Sequence, residues 1–161
     1  MKCLRCGGTM KSSRENYLYR ESGLARVTLV GVEVGRCPRC GEHEAVIPKV
    51  EQLHGAIATA ISRKASRLLP EEIRFLRKHL GWSGSDFAAH LGVSRETVSR
   101  WETGAATMGP VAERLLRLAA ATRQPGATDS LDMLARVGRG RPSAGSLHVA
   151  LRNGAWRAKA A

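Results

Sequence analysis

Aromatic residues are scarce in this chain, with three Trp, two Tyr and two Phe among 161 residues. So little aromatic area argues against one large core and for one medium domain or two small ones. No apolar run approaches the ~20 residues that a membrane-spanning helix needs. The opening stretch MKCLRCGG lacks the apolar segment of a secretory leader. A cytoplasmic protein with no membrane contact is expected. Carboxylates are also short: 14 stand against 26 Lys and Arg, giving a net charge of +12 and a pI near 10.6. That balance points to a polyanionic partner. The shortage is uneven. Residues 70–137 carry nine cations and eight carboxylates, whereas residues 138–161 carry five cations and no carboxylate. Nothing offers a nucleophile–base constellation or a phosphate-cradling glycine loop, so the chain is read as a non-enzyme.

Cysteine is limited to four residues, and their spacing is informative. Cys3-Leu4-Arg5-Cys6-Gly7 and Cys37-Pro38-Arg39-Cys40-Gly41 form two CxxCG knuckles. In a reducing compartment such cysteines serve as metal ligands more often than as disulfides. Two knuckles brought together give a tetrahedral site of Cys3, Cys6, Cys37 and Cys40. This suits one structural Zn²⁺ per chain, although four thiolates also suit iron. A closed four-thiolate shell leaves no position for substrate. A redox CxxC is the competing reading, but it expects one motif beside a βαβ pattern. His43 and His54 are not needed as ligands. Between the knuckles, 16–21 and 25–34 read as strands around a Ser22-Gly23 turn, with Val30, Val32 and Val34 of one parity. Residues 1–47 are therefore expected to form a small β-rich ribbon with the metal at its end.

Residues 83–104, SGSDFAAHLGVSRETVSRWETG, carry the strongest local signals. Ser83 is a natural N-cap with Asp86 three residues later. Phe87, Ala88 and Leu91 form an apolar face, and Gly92 supplies a left-handed turn. Ser94 caps a second helix in which Val98 and Trp101 share the inner side. Arg95, Glu96, Thr97, Ser99 and Arg100 are left on or near the other face. Arg100 is the first candidate to read a base, because Arg pairs in two places with guanine. Arg95 and Thr97 suit a base or phosphate, and Ser94 and Ser99 suit phosphate or a cap. Glu96 suits either cytosine N4 or the helix dipole.

Around this stretch, Pro70 is expected to open a helix with Ile73, Leu76 and Leu80 inward. Pro110 opens another with Val111, Leu115, Leu118 and Ala119 inward, and Asp129 or Ser130 caps a last one holding Leu131, Leu134 and Val137. Residues 48–69 read as a linker helix from about Lys49 to Ser66, either bridging or docked on one domain. Residues 138–161 read as a flexible basic tail. The tail contains Arg139-Gly140-Arg141-Pro142, a string similar to an AT-hook core. The apolar residues Leu147, Val149, Leu151 and Trp156 of the tail have no assigned role.

The string GVSRETVSRWETG resembles the XRE-type helix-turn-helix family, which implies a five-helix DNA-binding domain over residues 70–137. The order of ribbon, linker helix and XRE-type domain resembles the MqsA-like antitoxins, whose ribbon is the YgiT-type zinc finger. Many XRE-type domains have Gln where Gly84 stands here. The MqsA-like resemblance implies a homodimer through the C-terminal domain, binding of a double-stranded operator palindrome and repression of its own operon. It also implies neutralisation of a toxin protein, typically a ribonuclease. A stand-alone zinc-containing XRE-type repressor is the alternative. The fold class expected is α+β: a small four-cysteine zinc ribbon, a linker helix, an all-α five-helix domain and a disordered basic tail.

Overall fold

The computed structural model describes residues 1–122, 138 and 140–160. In chain order it contains β1 (Lys11–Leu18), a 3-10 turn (Arg20–Ser22), β2 (Val27–Arg36) and β3 (His43–Val46). Then follow α1 (Val50–Arg63), α2 (Pro70–His79), α3 (Gly84–Leu91), α4 (Arg95–Thr103) and α5 (Pro110–Thr122), and finally β4 (Leu147–Arg152) and β5 (Ala155–Ala160). The α+β class holds, with a cysteine-bearing sheet first and the helix-turn-helix after it. The last helix, expected around Leu131, Leu134 and Val137, lies outside the described residues, as does Arg139.

β2 is the hub of the sheet. β1 lies antiparallel along one of its edges. The other edge is shared: β3 runs antiparallel beside residues 33–36, and β4 runs parallel beside residues 27–30. β5 pairs with β4 and forms the outer edge. The inner face of β2 presents Val27, Leu29, Val32 and Val34, all buried. These four do not share one parity. Gly31 adopts φ +64°, and the β1 register slips between Glu15 and Tyr17, which resets the alternation as a bulge does. Val30, expected on the face of Val32 and Val34, is consequently half-exposed on the other side.

α1 is buried from both sides. Leu53, Ile57, Ala58 and Ile61 follow helical spacing and are almost fully buried. The helix touches β4 and β5 on one side and α2 and α5 on the other. One apolar cluster therefore runs from Leu29 of the sheet through α1 to Phe75, Phe87 and Leu116 of the helices.

The expectation of a flexible, disordered tail over residues 138–161 fails for residues 147–160, which form β4 and β5. The cause is local and physical. Asn153 and Gly154 have φ of +51° and +73°, the backbone of a type I′ hairpin turn. On either side of the turn, Leu147 and Val149 alternate inward and meet Ala158 and Trp156. Val149 is fully buried, and the Trp156 indole donates from Nε1 to the Pro48 carbonyl at 2.6 Å. The approach to the hairpin is also fixed. Gly138 N–H donates to Ala65 O at 2.8 Å, and Arg26 Nη1 donates to Ala144 O at 2.7 Å.

The inward face of α5 also differs from the expectation. The sequence pattern turns Val111, Leu115, Leu118 and Ala119 inward, but Val111 is 78% and Leu115 46% exposed. The face turned inward is Glu113, Leu116, Arg117 and Ala120. Arg117 is fully buried. It donates to the carbonyls of Ser62 (3.2 Å), Lys64 (2.7 Å) and Ser66 (2.6 Å), and pairs with Glu113 Oε1 at 2.7 Å. Glu113 also accepts from Leu68 N–H at 3.1 Å and from Arg67 Nε at 2.5 Å. The pair is inward because the chain after α1 presents backbone groups with no helix of their own to join, and a buried carbonyl without a donor is costly.

Candidate nucleic-acid interface and metal centre

The two cysteine knuckles are built alike. Cys3 N–H donates to Gly8 O at 2.8 Å and Gly7 N–H to Cys3 O at 2.9 Å. In the second knuckle, Cys37 N–H donates to Glu42 O at 2.8 Å and Gly41 N–H to Cys37 O at 2.9 Å. Gly7 and Gly41 close these turns at φ +69° and +76°, values that a side chain adopts only with strain. β1 leaves the first knuckle, while β2 enters the second and β3 leaves it. The β1–β2 and β2–β3 pairings thus bring the four sulfurs together. Cys3 Sγ lies 3.6 Å from Cys40 Sγ, Cys6 Sγ lies 3.5 Å from Cys37 Sγ, and all four fall within 4.8 Å of one another.

These separations fit one metal ion. Four sulfurs about 2.3 Å from a tetrahedral centre stand roughly 3.8 Å apart. Cys3 and Cys37 are buried beside Met10, and Cys6 and Cys40 are partly exposed. A Cβ at Gly8 would sit 3.3 Å from Cys6 Sγ, so the loop closes directly over the sulfurs. The Cys40 backbone N–H, working against burial, holds the Cys37 thiol down to about 7. Donors of this kind favour a thiolate ligand. Neither histidine joins the cluster. His43 lies beside Tyr17, and His54 packs between Tyr19 and Phe75, with Nε2 3.0 Å from the Tyr19 hydroxyl.

The helix-turn-helix follows its local signals closely. Ser83 and Asp86 form a reciprocal capping box. Asp86 N–H donates to Ser83 Oγ at 3.0 Å, and Ser83 N–H donates to Asp86 Oδ2 at 2.7 Å. The Ser83 hydrogen bonds hold the Asp86 carboxyl below its ordinary range. Gly92 ends α3 at φ +65°, and Ser94 Oγ accepts from Thr97 N–H at 3.1 Å to start α4. Phe87 and Ala88 of α3 are buried with Val98 and Trp101 of α4. Trp82, His90, Phe87 and Trp101 form a ring cluster across the turn.

This packing turns Arg95, Glu96, Ser99 and Arg100 to solvent, with Ser94 exposed at the helix start. Thr97 is half-buried and its hydroxyl lies 3.0 Å from Ser94 Oγ, so both serve the cap. Residues outside the motif fix the pitch of α4. Glu102 receives Arg77 through two bonds, Nε–Oε1 at 2.5 Å and Nη2–Oε2 at 3.1 Å. Arg74 donates to the Glu102 carbonyl at 3.0 Å, and Arg77 Nη1 donates to Trp82 O at 2.9 Å. This clamp joins α2, the start of the motif and the end of α4. Sequence reasoning does not single out these residues. Their one local signal is a carboxylate beside the buried Trp101, and the partners are 25 or more residues away.

Among the described residues, no helix is long and apolar enough to cross a membrane. A comparison with curated proteins finds no match. A family model described as helix-turn-helix matches residues 73–125, from within α2 through α5 with the Glu102 clamp and α4 inside it, and this supports a DNA-binding regulator of the XRE type.

Proposed function

We propose that this chain is a DNA-binding antitoxin that represses its own operon and neutralises a toxin protein by binding it. The observation that carries the reading is the pairing of a four-cysteine ribbon with an XRE-type helix-turn-helix in one chain. The ribbon holds one structural Zn²⁺ on Cys3, Cys6, Cys37 and Cys40. α4 enters the major groove of a double-stranded operator. Arg100 reads a base there, Arg95, Glu96 and Ser99 line the groove, and Ser94 and Thr97 set the start of the helix against the backbone. Residues 1–47, 48–69 and 70–137 act as metal, connecting and DNA-reading units in the cytoplasm, without catalysis. A homodimer forms through the helical domain. Val111 and Leu115, exposed on α5 one helical turn apart, support that assignment.

The test is affinity purification of the tagged protein from its own cells, with mass spectrometry of whatever co-purifies stoichiometrically. A small protein encoded beside it is the expected result. A homodimer carrying DNA and no second protein would overturn the antitoxin reading and leave a stand-alone zinc-containing repressor.

A further inference from the structure

The C-terminal hairpin has two unlike faces. Trp156, Val149 and Ala158 point inward to the core. The opposite face is set by register: His148 stands opposite Lys159, Ala150 opposite Arg157 and Arg152 opposite Ala155. Directly paired residues project to the same side of a sheet, so His148, Arg152, Arg157 and Lys159 share the outer face. All four are exposed. No ion pair involving Arg152, Arg157 or Lys159 occurs among the described residues. β2 continues this face through Thr28 and Val30, which pair with His148 and Ala150. Its next carboxylate, Glu33, lies three residues beyond Val30, opposite Arg14.

The charge distribution of the chain gives this face a purpose. A DNA-binding protein draws most of its general affinity from cations that release counterions from phosphates. Here the segment holding the helix-turn-helix, residues 70–137, has nine cations and eight carboxylates, and Arg74 and Arg77 are spent on Glu102. Residues 138–161 have five cations and no carboxylate. The hairpin is braced as well. Lys49 Nζ donates to Gly154 O at 2.6 Å, and Trp156 anchors β5 to Pro48. Its cations therefore sit on a rigid two-stranded ribbon and lose less freedom on contact than a loose tail would.

We infer that the outer face of the β4–β5 hairpin is a second nucleic-acid surface, in which Arg152, Arg157 and Lys159 bind the phosphate backbone of duplex DNA without reading sequence. The inference rests on the DNA-binding part of the proposed function and adds a contact site outside the helix-turn-helix.

The experiment measures binding of the full-length, metal-loaded protein to a duplex of random sequence about 30 base pairs long, across a salt series. The variant is Arg152→Gln/Arg157→Gln/Lys159→Gln. Each phosphate contact contributes about 0.9 to the slope of log K against log salt, so losing three lowers the slope by about 2.7 and weakens binding by roughly 500-fold near 0.1 M salt. A charge-matched control, Lys2→Gln/Lys11→Gln/Arg20→Gln, should leave the slope unchanged. An equal loss in that control would reduce the effect to net charge and overturn the inference. An unchanged slope in the hairpin variant, with the parent protein binding normally, would also overturn it and leave the face to an acidic protein. If the parent itself fails to bind duplex, the DNA-binding reading falls with it, which is a separate outcome. Metal content and thermal midpoint show whether the variant is folded. Should the triple variant unfold, Arg157→Gln and Lys159→Gln singly carry the test, each with an expected slope change of about 0.9.

Discussion

Arg100 and His54 are two single side chains whose settings lead to opposite kinds of test. Arg100 is exposed on α4, one residue before the buried Trp101, and takes no part in the core. Arg100→Ala should abolish sequence-specific binding, leaving metal content and thermal midpoint as in the parent. A gel-shift titration with operator DNA checks this, and unchanged affinity would sink the assignment. His54 is a packing residue whose pKa is lowered by burial against Tyr19 and Phe75. A histidine held neutral in the fold binds its proton more readily when unfolded. Its stabilising contribution is therefore complete above the unfolded value near 6.5 and shrinks as the pH falls below it. His54→Gln should flatten the pH dependence of the unfolding midpoint below that value. Parallel midpoint-versus-pH curves for parent and variant would show that His54 does not titrate with folding.

At the scale of elements, legibility in the sequence follows the range of the forces involved. The caps of α3 and α4 use Ser83, Asp86, Gly92 and Ser94, all within a few residues of the helix they serve, and the sequence declares them. The knuckles are equally local, so the four cysteines can be grouped from spacing. The inward face of α5 cannot be read this way. Glu113 and Arg117 form an i,i+4 pair that reads as a solvated surface couple, and only the distant carbonyls of Ser62, Lys64 and Ser66 turn it inward. β4 pairs with a strand about 120 residues earlier, so its partner leaves no mark nearby, although Asn153-Gly154 is a hairpin signal in plain view. The hairpin's hold on the core is measurable. Trp156→Ala removes the indole between β5 and α1 together with its bond to Pro48 O, and truncating a buried aromatic costs about 3–5 kcal/mol. Denaturant unfolding should show a loss of that size. A change under about 0.5 kcal/mol, within the range of ordinary surface substitutions, would mean that the hairpin is peripheral to the fold.

For the whole molecule, a metal held by the four cysteines would support some parts of the fold more than others. Residues 1–47 are too few to bury a sufficient core alone, and a structural four-thiolate site supplies on the order of 10 kcal/mol or more of folding free energy. β2, however, belongs to two neighbourhoods. Its end at residues 33–36 pairs with β1 and β3 next to the cysteines, while residues 27–30 pair with β4 over α1. The second neighbourhood is tied to the helices through Leu29, Val149, Ile57 and Leu116 in one apolar cluster, whereas the cysteines and Met10 form a separate small one. Removing the metal should therefore undo the sheet from one end. Chelation should release one ion and about four titratable thiols per chain. Amide exchange should then rise sharply in residues 11–13, 34–36 and 43–46 and stay low in α1, α4 and the β2–β4 ladder. DNA affinity should fall only a few-fold, because the Glu102 clamp and the α3–α4 packing lie entirely within the helices. Loss of protection throughout α1 and α4 on chelation would show instead that ribbon and helices fold as one cooperative unit, with stability of α4 depending on the metal.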